Sequence, residues 1–217
     1  MHRVTYSKEG LIKFISHLDL IRLWQRAFRR AGLTVKISKG FSPHPLMSFG
    51  PPLPVGVAGC GELLDVALVP GQNLMRAKER LQSALPEGVR VHEFRPVPEP
   101  RRSLCAAIDC ARYEVHLEKE CSNDVREKVA SAKSAATLVA RKLTREGERY
   151  RDIKPLIKEL EVEGNRGGEE RMRFTVRVGE GGNCNPHELL EAVLGWPEER
   201  IKKLRIARTA LVSSGKF

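Results

Sequence analysis

Long apolar runs, paired cysteines and phosphate-loop glycines are all missing from this chain of 217 residues. No stretch approaches the roughly 18 apolar residues of a membrane span, so no membrane partner is expected. The opening MHRVTYSKEGLIKF lacks the unbroken apolar core of a signal peptide, which makes a cytoplasmic location the expectation. The five cysteines are odd in number and irregularly spaced. None falls in a C-x2-C or C-x3-C-x2-C run of the kind that holds zinc or an iron–sulfur cluster. A chain of this length also buries a core without disulfide staples. No G-x-x-x-x-G-K-[ST] loop is present, which excludes nucleotide hydrolysis of the P-loop type. The sequence therefore predicts no metal and no cofactor, and it assigns no catalytic residue outright.

What is present is positive charge, unevenly placed. Lys and Arg number 38 against 27 Asp and Glu, a formal net charge of +11. Residues 1–50 carry nine basic groups against two acidic ones, whereas residues 51–100 are close to neutral. A local surplus of this kind attracts phosphates and weakens with salt; the plain alternative is a solvated surface with no partner.

Periodicity divides the chain into two similar halves. In the first, HRVTYSK and LIKFIS read as extended, interrupted at Glu9-Gly10. Ser16-His17-Leu18-Asp19 has the S-x-x-D form of a helix start. Leu20, Leu23, Trp24, Ala27 and Ala31 then recur at helical spacing up to a stop at Gly32. The opposite side of that helix collects Arg22, Arg26, Arg29 and Arg30. TVKIS reads as a strand, ELLDVALV as another, Asn73 as the cap of a helix to about Leu85, and VRVHEF as a closing strand. RPVPEPRRS is a linker by composition. The second half repeats the order. ARYEVHLE, TLVARKL, LIKELEVE, RMRFTVRV and KKLRIARTAL read as strands, NDVREKVASAKSA and PHELLEAVLG as helices, with an irregular basic stretch after TLVARKL. The fold expected is α+β, two tandem ferredoxin-like (βαββαβ) domains over residues 1–96 and 106–217, joined by a linker over 97–105.

Candidate site residues gather at two places. GFSPHPLMSFGPPLPVG, residues 40–56, sets His44 between Pro43 and Pro45, whose fixed φ stiffens the arm that carries it. Phe41 and Phe49 flank it as possible stacking rings, and Lys36 and Lys39 precede it. His17, in the first turn of the arginine helix, is a second candidate base beside a phosphate-accepting helix start. In the second half, Arg145, Arg149, Tyr150 and Arg151 combine cations with an aromatic, which suits phosphate contact plus base stacking.

The run FISHLDLIRLWQRAFRRAGLTVKISKGFSPHPLMSFGPPLPVG resembles the bacterial radical SAM-linked family, a domain found alone or fused C-terminally to radical SAM proteins. The likeness includes FISHLD, RAFRRAGL, GFSPHP and PPLPVG, and extends to ELLD and RDIKPLI. It implies a radical SAM protein as partner and RNA, tRNA or rRNA, as the molecule served. It supplies no catalytic residues. The expectation is an RNA-binding accessory module. The alternatives are a metal-independent RNA-processing enzyme using His44 and His17, and a domain that docks a radical SAM partner.

Overall fold

The computed structural model describes residues 1–99, 102–117, 122–144, 147–164 and 170–213. Two compact units are built on Met1–Ile108 and on Asp109–Val212. Both are mixed α+β with antiparallel sheets.

The first unit runs β1 (His2–Lys8), α1 (His17–Arg30), β2 (Met47–Phe49), β3 (Ala58–Val66), α2 (Ala77–Ala84), β4 (Val89–Pro96). Its strands lie in the order β4-β1-β3-β2. Side chains alternate along a strand, and in β1 this sends Val4 and Tyr6 into the core with Leu64 and Val66 of β3. From α1 the residues Leu20, Leu23, Trp24, Ala27 and Phe28 meet them. The Tyr6 ring meets Trp24 edge-on at 4.9 Å, and burying each such side chain stabilises by about 1.5–3 kcal/mol. On the alternate side of β1, Arg3 forms a two-bonded ion pair with Asp65, at 2.7 and 2.9 Å, with both groups buried. Removing one partner of such a pair costs about 3–5 kcal/mol, because the other charge stays buried and alone.

Ser16 caps α1 as the spacing predicts. Its hydroxyl accepts from the Asp19 amide at 3.1 Å and donates to the Asp19 carboxylate at 2.7 Å. Gly32, at φ +65°, takes the left-handed turn that ends the helix.

A short helix α3 (Leu104–Ala107), capped by Ser103, lies in and just beyond the segment read as a linker. The second unit then runs β5 (Cys110–Leu117), α4 (Ser122–Ser134), β6 (Val139–Thr144), β7 (Gly147–Asp152), β8 (Ile157–Gly164), β9 (Glu170–Arg177), α5 (Pro186–Leu194), α6 (Glu198–Lys203) and β10 (Arg205–Val212). Its sheet has the order β10-β5-β9-β8, and β6 and β7 form a separate ribbon. Tyr113 stacks on Phe174 in its core at 5.3 Å.

Several elements differ from their sequence reading, each for a local reason. LIKFIS is not extended: Gly10–Phe14 forms a 3-10 turn that redirects the chain from β1 into α1, and Lys8 Nζ ties it down by donating to the Ile15 carbonyl at 3.0 Å. TVKIS makes only isolated bridges, Val35 to Leu68 and Ile37 to Pro45. Pro43 and Pro45 have no N–H to extend a ladder, and the paired strand is Met47–Phe49 instead. Asn73 accepts from the Met75 amide in a local turn, and α2 begins only at Ala77. The stretch read as irregular and basic contains β7. The lysines of KKLRIARTAL finish α6, so β10 starts at Arg205.

Candidate nucleic-acid interface

Residues 33–46 of the first unit leave α1 as a narrow arm rooted on the chain after β3. Lys36 N donates to Ala67 O at 2.8 Å, Ala67 N to Leu46 O at 3.0 Å, and Leu46 N to Lys36 O at 2.8 Å. Gln72 braces the root, accepting from Thr34 N at 2.6 Å and donating to the Thr34 and Val69 carbonyls at 2.8 Å each. Nearer the tip, Ser38 N donates to His44 O at 2.8 Å, and His44 N donates to the Ser38 hydroxyl at 3.0 Å.

The same clasp fixes the imidazole. His44 Nδ1 lies 3.0 Å from both the Ser42 carbonyl and the Ser38 hydroxyl. A carbonyl only accepts, so the Ser42 contact is made by a proton on Nδ1. Ser38 had no signal in the sequence: it lies six residues from its partner, outside any periodic pattern.

Phe41 stands at the tip of this arm with 111% relative exposure, and none of the described residues covers its ring. Lys36 and Lys39 are exposed and make no ion pair among the described residues. Phe49 has a different role. It is half-buried on β2, packed against the core, and its ring meets His17 edge-on at 5.5 Å. His17 and His44 therefore hold different partners.

On the outer side of α1, Arg22 is paired with Asp19 at 3.2 Å, both well exposed. The Ser16 hydroxyl, and then Arg22, hold the Asp19 carboxyl below the ordinary carboxylate range. An exposed, solvent-screened pair of this kind holds the arginine only weakly. Arg26 and Arg29 are exposed and make no hydrogen bond or ion pair among the described residues. Arg30 is occupied: it donates to the Ala84 carbonyl at the end of α2. Arg80 of α2 returns the contact, donating to the Ala31 and Gly32 carbonyls beyond α1 at 2.6–3.2 Å. Each helix end is thus capped by an arginine from the other.

In the second unit, Arg149, Tyr150 and Arg151 lie on β7, whereas Arg145 is outside the described residues. The register sets Arg141 opposite Tyr150, Lys142 opposite Arg149 and Ala140 opposite Arg151. Ala140 is buried and Arg151 bonds to Glu188 of α5 at 2.6 Å, so that side faces the unit's interior at its base. Val139 and Tyr150, on the other side, are 56% and 65% exposed. The Tyr150 hydroxyl donates to Glu148 at 2.7 Å and Arg141 binds the same carboxylate at 2.9 Å. Those two contacts, Tyr150 first, hold Glu148 below its usual range, and Glu148 in turn raises Tyr150.

Several other charges in the second unit are paired internally. Glu114 takes bonds from Arg171 and Arg173, each at 2.9 Å, and Arg173 also reaches Glu163. Burial pushes Glu114 up, but the arginines outweigh it and leave its carboxyl below the usual range. A hollow of about 460 Å³ on this face is lined by Glu114, Glu159, Glu161 and Glu163 beside Arg112 and Arg173, a lining that repels phosphate. Near the C-terminus, Arg208 is buried, Arg200 lies 3.6 Å from the Trp196 ring centroid, and Lys202 pairs with Glu198 at 2.5 Å. Burial pushes the Cys184 thiol up to about 12, which leaves it inert. Among the described residues no His, Cys, Asp and Glu group is arranged to hold a metal. No helix there is long and apolar enough to cross a membrane.

The family profile described as "Uncharacterized protein conserved in bacteria (DUF2344)" matches residues 2–186, and its description names neither RNA nor a radical SAM protein. No curated protein matches the sequence. One similar solved structure is "Crystal Structure of a Cbf5-Nop10-Gar1 Complex", with 12% identity over 97% of this chain and 48% of that one, at a TM-score of 0.47. The chain thus spans about half the length of that relative. Another is "Crystal structure of putative glycine cleavage system transcriptional repressor", with 10% identity over 98% and 97% of the two chains, at a TM-score of 0.25. Nothing is carried over from either.

Proposed function

We propose that this chain, which belongs to the bacterial family matched over residues 2–186, is an RNA-binding accessory module acting in tRNA or rRNA metabolism. One observation carries the reading: a bare phenylalanine, Phe41, at the tip of a clasped arm whose neighbouring cations Lys36 and Lys39 are unspent. Exposed single apolar residues are ordinary. Here, however, the ring is held out on an arm already ordered by Ser38, His44 and two prolines, so stacking on a base costs little further entropy.

The rest of the interface follows from charge. Arg22, Arg26 and Arg29 contact phosphates, while Arg30, Phe49 and Arg151 maintain the fold. Each unit is read as a ferredoxin-like βαββαβ fold, with the ribbon β6–β7 inserted in the second. The test is crosslinking in native cells with sequencing of bound RNA. A defined tRNA or rRNA species, lost on replacing Lys36, Lys39 and Phe41 with Ala, supports the reading; no enriched RNA overturns it.

A second reading has its own observation. Leu11, Phe14, Leu18 and Val55 of the first unit are all more than half exposed, and Gly56 N donates to Lys13 O, joining the loop of Val55 to the turn of Phe14. Such a surface suits a docked protein. A radical SAM enzyme as that protein rests on the sequence resemblance alone. Recovery of one stoichiometric partner that survives nuclease and high salt supports docking; its absence removes it.

A further inference from the structure

We infer that the β6–β7 ribbon is a second nucleotide-stacking arm, and that the RNA held by this chain is unpaired where the two arms engage it. The inference rests on the RNA-binding reading above and narrows its ligand to single-stranded stretches.

Chain order supplies the first argument. In the first unit the arm at 33–46 leaves α1 and returns at β2, the edge strand of the order β4-β1-β3-β2. In the second unit, the ribbon leaves α4 and returns at β8, the edge strand of the equivalent order β10-β5-β9-β8. Both excursions therefore stand between the first helix and the second sheet strand of their unit. Each carries one aromatic ring turned to solvent, Phe41 and Tyr150.

Side-chain chemistry supplies the second. Tyr150 is pinned by its hydroxyl bond to Glu148, so its ring is ordered before any ligand arrives. Arg141 stands directly opposite in register, on the same outer side, and neutralises Glu148. An ordered phenol ring beside an ion-paired guanidinium offers a base a stacking surface. In a duplex both faces of a base are covered by its neighbours, so two such rings select unpaired nucleotides. Arg141 and Arg151 are ion-paired, whereas Lys142 and Arg149, opposite each other in register, are exposed beside the ring.

Fluorescence anisotropy on the full chain tests this with a fluorescein-labelled mixed-sequence RNA, about 20 nucleotides long, as a single strand and annealed to its complement. The expected results are at least tenfold weaker binding of the duplex, and at least about a fivefold loss on the single strand for Tyr150→Ala with an unchanged salt slope. Tyr150→Phe keeps the ring and most of the affinity. Melting curves of both variants that match the parent exclude unfolding, as the exposed position predicts. Equal binding of duplex and single strand, or full affinity in Tyr150→Ala, overturns the second arm and leaves the RNA reading standing. Failure of the parent chain to bind either RNA removes that reading and the second arm together.

Discussion

The two arms occupy the same place in their units and are held by opposite chemistry. Residues 33–46 are closed by backbone bonds, a serine–histidine clasp and prolines, with no carboxylate among them. The β6–β7 ribbon is fixed at its base by charge: Asp152 accepts from the Leu138 and Lys154 amides at 2.8 and 2.9 Å, and Arg151 pairs with Glu188. The difference decides what is left for a ligand. The loop leaves Lys36 and Lys39 without ion pairs among the described residues, whereas the ribbon commits Arg141 to Glu148 and Arg151 to Glu188. A high count of basic residues is thus a poor guide to phosphate binding until their partners are known.

The sharpest break of this comparison removes the available groups. Lys36→Ala, Lys39→Ala and Phe41→Ala together should weaken binding to single-stranded RNA by about 100-fold at low salt, from lost stacking and lost phosphate contacts, with an unchanged melting temperature. Next in size, Arg22→Ala, Arg26→Ala and Arg29→Ala should lower the magnitude of the log affinity–log salt slope by about two, since each single-strand contact contributes about 0.7. An unchanged slope would take α1 out of the interface.

Smaller effects probe the second arm's anchor. Arg151→Ala leaves Glu188 without its cation and should cost about 1 kcal/mol, seen as a melting temperature lower by about 2–4 °C. The smallest effect is an acid one. The amides of Leu138 and Lys154 hold Asp152 below the usual carboxylate range. The unfolded group titrates near pH 3.9 or so, so the stabilisation is intact above that pH and is lost as pH falls through the lower folded value. Protection of the Leu138 amide against hydrogen exchange should therefore fall only in that acid range, and Asp152→Asn should abolish the dependence. The first arm, having no carboxylate in its clasp, should show none.

How much was legible in the sequence depended on how far apart the partners lie. Helix α1 could be read because Ser16, Asp19 and the apolar series to Ala31 are local signals, and Gly32 supplied its stop. TLVARKL was legible as the strand β6, but its partner β7 was hidden because GERYRD alternates charge with a single aromatic and shows no apolar stripe. The reciprocal caps joining Arg30 to Ala84 and Arg80 to Ala31 were invisible, since each spans about half of the first unit. Arg3 with Asp65 depends on a strand register that composition does not carry. For the candidate site, Phe41, His44, Lys36 and Lys39 could be named from the proline-rich stretch. Telling the bare ring of Phe41 from the packed ring of Phe49 required knowing which of them lies on a strand against the core.

The most direct measurement is equilibrium anisotropy of a labelled single-stranded RNA against the full chain and its Lys36→Ala, Lys39→Ala, Phe41→Ala variant. The account predicts binding that weakens with salt in the parent and is largely lost in the variant, at equal melting temperature. Binding that is equal in both, or absent from the parent, would contradict it.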